Sequence, residues 1–147
     1  MSHPLALTLP RPQCWLVCRG LAGTVRLVLT DAQRSLLAQD RLVLIHSGHV
    51  GSAEWHRALG ITCRQAGVTP PERDALEHDV WRGVAQIVRV IESAQTVLHL
   101  RGLHVFSSPP YWGTPGPDAP RLWLPSAETA ESLLDEWERE HGKRRAS

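Results

Sequence analysis

The stretch Arg41-Leu42-Val43-Leu44-Ile45-His46-Ser47-Gly48-His49-Val50-Gly51 decides how the chain is read. Leu42 to Ile45 is a continuous apolar run, too short for a helix and rich in β-formers. It predicts a strand buried on both faces. The run stops abruptly in His46, Ser47, Gly48, His49 and Gly51. The two glycines permit backbone conformations that other residues avoid and leave room for close approach. A core strand that delivers imidazoles and a hydroxyl onto such a turn is one way to build a site. Solvated polar residues in an ordinary turn are the other reading.

Working outward toward the N-terminus, Asp31 to Asp40 reads as a short helical turn carrying Leu36 and Leu37, and Thr24 to Leu29 as a β-branched strand. Leu5 to Leu9 is a further strand, closed by Pro10 and Pro12. Pro12 suits the first turn of a helix over Gln13 to Arg19, ending at Gly20, with Trp15, Leu16 and Cys18 facing inward. On the other side, Ser52 is placed to cap a helix that runs to Ala66 and ends at Gly67. Pro70 and Pro71 open a polar connection through Asp79. Val84 to Ile91 reads as a strand. Thr96 to Leu100 and Leu103 to Phe106 read as two more, with Arg101-Gly102 between them at turn-like spacing.

Ser107 to Pro120 holds five of the eleven prolines and reads as a loop containing Tyr111 and Trp112. Leu122 to Leu124 is a last short strand. Ser126 then caps a helix whose Ala127, Ala130, Leu133, Leu134 and Trp137 repeat on one face, with Gly142 after its end. Residues 143–147 form a basic tail expected to fray. Many short strands with few helices predict an α+β chain built on a small barrel. The expected division is a barrel over 1–125, a C-terminal helix packed on it over 126–142, and the tail.

The 147 residues are enough for one domain with a real core, and a net charge of +1 gives no bulk attraction to nucleic acid. Of the 16 basic residues only Lys143 is a lysine. Arginine pairs bidentately with phosphate and stacks on flat rings, so an arginine-rich surface can recognise nucleotides at near-zero net charge; genomic base composition produces the same bias. Three cysteines, not in Cys-x-x-Cys spacing, argue for reduced core residues rather than a disulfide scaffold. The absence of a signal peptide or apolar span predicts a cytoplasmic protein without membrane contact.

Three motifs resemble a known family in order and spacing. Ala6-Leu7-Thr8-Leu9 followed by Pro12, Trp15, Leu16, Val17 and Gly20 resembles the opening of the ASCH domain. Leu44-Ile45-His46-Ser47-Gly48 is similar to that family's Ile-His-Ala segment, and Arg82-Gly83-Val84-Ala85 through Val90 to its later glycine-hydrophobic strand. Together they cover residues 5 to 92. The resemblance implies a PUA-like β-barrel with flanking helices, associated with RNA or modified-nucleobase recognition. Some members are amidohydrolases acting on acetylated cytidine, and others are nucleases. The family motif Gly-x-Lys-x-x-Glu-x-Arg corresponds here to Gly20-Leu-Ala-Gly-Thr-Val-Arg-Leu27, with Ala22 and Val25 where the lysine and glutamate stand. Only Arg26 remains for the arginine, one position out of register. Loss of both charges together is coherent, because either alone would be left uncompensated. Further on, Tyr111-Trp112-Gly113 with Leu122-Trp123-Leu124 resembles the family's aromatic-glycine loop and next strand; alternatively Leu122-Trp123-Leu124-Pro125 is its final strand.

Other chemistries are weaker. His46, His49 and His56 with Cys63 would be a zinc-type donor set, but without a standard spacing. Ser47 beside His46 is not a catalytic pair, since adjacent strand side chains point to opposite faces. Asp40, Asp79 and Glu92 are scattered. Trp55 and Trp137 read as core, and Trp81 and Trp112 as the aromatics exposed for stacking. The expectation is therefore an ASCH-like module binding RNA, a modified nucleobase or nucleoside, or single-stranded DNA, with no cofactor and no metal. Arg26, His46, Ser47 and His49 would surround a cavity, with Trp81, Arg82, Tyr111 and Trp112 at its rim. The rivals are a hydrolase with a re-sited catalytic group, such as His46 or His49 as general base, and a protein-interaction subunit.

Overall fold

The computed structural model describes residues 3–9, 11–21, 23–48, 53–70, 80–106 and 121–146. The described elements are β1 (Leu5–Leu9), α1 (Arg11–Cys18), β2 (Thr24–Leu27), α2 (Asp31–Arg34), β3 (Leu42–Ser47), α3 (Ala53–Ala66), β4 (Val80–Glu92), β5 (Thr96–Val105), β6 (Arg121–Trp123) and α4 (Ala127–Ala146). The six strands form one curled half-barrel sheet in the order β2-β5-β4-β3-β1-β6. All neighbours are antiparallel except β1 and β3, which run parallel with Leu5 opposite Val43 and Leu9 opposite Ser47.

The expected central strand is in place. Val43, Leu44 and Ile45 are fully buried, because β3 lies inside the sheet with a helix layer on each face. Leu5, Leu7, Leu9, Val43, Ile45, Ala85 and Ile87 point to one face, where they meet Cys14, Val17 and Cys18 of α1. Val25 and Leu27 from one edge strand and Leu122 from the other share that cluster. Residues from both edges meet only where a sheet is concave, so this is the inner face. Ala6, Leu44, Trp81 and Val84 point outward and are covered by Ala130 and Leu133 of α4. A third cluster joins Trp15 and Leu16 of α1 to Leu59 and Cys63 of α3.

A short bridge spans the open side of the half-barrel. Thr30 and Gln33 form a reciprocal cap on α2, directly after edge strand β2, and the Gln33 amide donates to the carbonyl of Leu122 on the other edge strand. The Arg41 guanidinium donates to the carbonyls of His3 and Leu36 and ties the start of β3 to both.

Two sequence expectations are corrected here. Thr96 to Phe106 is not two strands around an Arg101-Gly102 turn. Residues Thr96–Val105 are one strand, and the chain reverses at Ser93–Gln95, where the Ser93 hydroxyl and amide both address the Gln95 carbonyl. Gly102 is needed for close approach. A Cβ there would lie 2.8 Å from the Val17 carbonyl oxygen and 2.9 Å from that of Cys18, because the end of α1 rests directly on β5. The second correction is α4, which continues through Gly142 to Ala146. One helical glycine costs only about 1 kcal/mol relative to alanine, too little to stop a helix already packed on the sheet. The expected loop from Ser107 to Pro120, the Ser52 cap and the connection over 71–79 lie outside the described residues.

Gly102→Ala tests the helix–sheet contact. Two backbone carbonyls cannot turn aside as a side chain would, so we expect a loss of roughly 1–3 kcal/mol in urea unfolding. Gly20→Ala, at a positive φ but in open space, provides a comparison governed by backbone strain alone.

Candidate functional site

The buried polar residues are unevenly distributed. Thr8, Gln13, His46 and Ser47 all lie where β1 and β3 end, while Thr96 and His104 lie elsewhere. Because β1 and β3 are parallel, their carboxyl ends coincide, and Gly48 N–H donates to the Leu9 carbonyl at 2.8 Å to close the pair. Gln13 sits in the first turn of α1, four residues after Leu9.

The two faces of this end carry different chemistry. On the outer face the His46 ring meets Trp81 at 4.9 Å and Trp123 at 6.4 Å between centroids, both edge-on, and the two indoles are 5.7 Å apart. Trp123 Nε1–H donates to Thr8 Oγ1 at 2.9 Å, and Thr8 Oγ1 lies 3.3 Å from His46 Nδ1. In the arrangement that uses each of these groups once, the Thr8 hydroxyl gives its proton to Nδ1 and the ring hydrogen sits on Nε2. Ser47 alternates with His46 and so belongs to the inner face, the side on which α1 carries Gln13, and Arg82 lies near the end of β4 that pairs with this part of β3. Register shifts between Ile45 and His46, so Arg82 is the extra residue of a β-bulge. Bulges of this kind re-aim a side chain next to a site. Arg82 is half-buried, and its charge reaches Cys14.

Cys14 is not a nucleophile at neutral pH. Burial pushes its thiol well above the usual range, the hydrogen bond and charge of Cys18 add to this, and Arg82 opposes it. The three described cysteines are free and buried, as the sequence suggests. Cys63 packs among Trp15, Leu16 and Leu59. Among the described residues no three His, Cys, Asp or Glu side chains are placed to share a metal ion. Asp40 and Glu92 are exposed. No helix among the described residues is long and apolar enough to cross a membrane.

The expected site residues separate into groups. His46 and Trp81 come together, and Ser47 and Arg82 flank them on the strand ends. Trp81 is not an exposed stacking platform. It is 1% exposed, because its pairing with His46 turns it onto the outer face beneath α4. Arg26 is exposed on edge strand β2, opposite Val97, which in turn faces Ile91. Ten residues of β4 separate Ile91 from Trp81, on the order of 33 Å of strand, so Arg26 does not join His46. Val25, which the resemblance to the ASCH motif sets against a glutamate, is buried in the inner core, where a lone carboxylate would be uncompensated. His49, Tyr111, Trp112 and Ala22 lie outside the described residues.

Thr8, Gln13 and Trp123 are not among the site residues expected from the sequence. Thr8 is the one polar residue in Leu5–Leu9, and Gln13 the one polar side chain on the buried part of α1; both interruptions were signals in principle. No family model matches this chain, and no curated protein matches it.

Thr8→Val keeps the shape and removes the hydroxyl that both Trp123 and His46 address. We expect a stability loss of roughly 1–3 kcal/mol in chemical denaturation, with a change in tryptophan emission, because a buried donor loses its partner.

Proposed function

We propose that the chain is an ASCH-like, PUA-like module that binds RNA or a modified nucleobase at the carboxyl ends of β1 and β3. The observation that carries this reading is Gln13. The residue is 8% exposed, and among the described residues no hydrogen bond is made by its amide. A buried amide gains roughly 1–3 kcal/mol from meeting a partner, which a bound ligand can supply. An amide offers both a donor and an acceptor, the pair needed to read a base edge. At the same end of the sheet Arg82, on the β4 bulge, supplies a guanidinium for phosphate, and Ser47 a hydroxyl. The resemblance of residues 5 to 92 to the ASCH motifs supports the same reading, and so does the half-barrel with a helix against its inner face. The substitution of the family's lysine and glutamate favours binding over amide hydrolysis.

Such an end reads a base only after it leaves the stack, so single-stranded or flipped nucleotides are the preferred ligands. Gln13→Leu separates function from stability. Unfolding should show equal or greater stability, while fluorescence titration with short RNA shows weaker binding by roughly tenfold, about 1.4 kcal/mol. Equal affinity for the variant would remove the role of Gln13. Trp112→Ala should weaken binding by roughly 1–3 kcal/mol if a base stacks there. Arg82→Ala should weaken all sequences about equally. Absence of RNA and DNA binding at high micromolar concentration would favour a protein-interaction subunit instead.

A further inference from the structure

Away from this end, the outer face of the sheet is not covered by described residues of α4. The cross-strand register sets out what it presents. Arg26 faces Val97, His99 faces both Thr24 and Arg89, and Arg101 faces Gln86. Arg26, Arg89 and Arg101 are exposed, and His99 is half-exposed. These positions share a face because the alternate residues Val25, Leu27, Leu98 and Leu100 are in the inner core. Glu92, the acid of these strands, is paired with buried Thr96 and alternates to the opposite face, although at the end of β4 it lines one pocket with Arg89 and Arg34. Among the described residues none of the three guanidiniums meets a carboxylate. By contrast Arg34 and Arg139, on helices, each pair with an acid on their own helix.

From this we propose that the outer face of β2, β5 and β4 is a phosphate track for single-stranded RNA, formed by Arg26, His99, Arg101 and Arg89. It rests on the nucleic-acid reading but names a second surface, distant from Gln13 and Arg82. Strands lie about 4.8 Å apart and alternate residues roughly 6.6 Å apart along a strand, so the track advances in steps of roughly 5–8 Å. That spacing suits successive phosphates of an extended strand. The convex outer face sets the guanidiniums on neighbouring strands, and each fork can grip two phosphate oxygens. Arg101 is pre-set, since it donates to Gln86 Oε1 at 2.6 Å, and Gln86 is itself anchored to the Asp40 carbonyl at 3.0 Å. The overall charge of +1 conceals this local concentration.

The test compares the wild type with the triple variants R26Q/R89Q/R101Q and R26K/R89K/R101K, each confirmed folded by circular dichroism. The probes are an oligouridylate long enough to span the track and uridine monophosphate. The glutamine variant should bind the oligomer about tenfold or more weakly at low salt. Its slope of log K against log salt should fall by about 2, at roughly 0.7 per neutralised phosphate on a single strand. The lysine variant should keep most of that slope, and uridine monophosphate should bind all three proteins alike. A glutamine variant that binds the oligomer as the wild type does would overturn the track and leave the nucleic-acid reading standing. A wild type that binds neither probe would overturn both. Binding to phosphatidylserine vesicles in place of the oligomer would overturn RNA as the occupant.

Discussion

Everything in this fold depends on how closely α1 can lie against the inner face of the sheet. The helix ends on the backbone of β5, and the approach is possible only because position 102 has no Cβ. Gly83 does the same on β4, where an added Cβ would meet the His104 carbonyl and Cys18 Sγ. With the helix seated, Cys14, Val17 and Cys18 fill the concavity of the half-barrel, and the two edge strands can contribute to one core. The seat also fixes where α1 begins, and therefore where Gln13 stands relative to the ends of β1 and β3. Site and core are set by the same contact.

The two ends of the sheet differ in what their side chains need. At the carboxyl ends of β1 and β3 the polar groups are buried, which places a premium on partners: Thr8 serves two rings at once, while the Gln13 amide makes no hydrogen bond among the described residues. On the outer face of β2 and β5 the polar groups are in solvent and cost little to leave unpaired. A buried amide is informative because an unmet hydrogen bond inside costs more than one outside. Unpaired surface arginines are informative only through their arrangement. The bulge at Arg82 connects the two regimes by leaving a cation half in and half out.

Much of this architecture was legible in local pattern. The apolar run at Leu42 to Ile45, the Pro-Trp helix after β1 and the periodic face of α4 all led to the elements observed. The failures have a common physical cause. Glycine at 102 was read as a turn because a tight turn and a close approach both call for a missing Cβ. The actual reversal at Ser93–Gln95 has no glycine, proline or asparagine to announce it. Trp81 was placed at an exposed rim because of the glycine two residues on, whereas its burial is decided by His46, 35 residues earlier in the chain and paired with it across the sheet. The chain from Trp123 through Thr8 to His46, and the arginine track, likewise depend on register between distant strands. Such pairings leave no trace in a window of local sequence.

The parallel pair has a consequence for the order in which the molecule can be assembled. The strand nearest the N-terminus, β1, sits between β3 and β6, so one of its neighbours is made well after it and the other almost last. During synthesis β4 and β5 can pair at once through their short reversal, and β3 can join them, but β1 keeps an open flank until residues Arg121–Trp123 leave the ribosome. Long-range pairings of this kind fold slowly and expose unpaired edges meanwhile. The strand at risk is the apolar Leu5–Leu9, and α1, held to it by a single residue, is the element placed to shield its inner face during that interval.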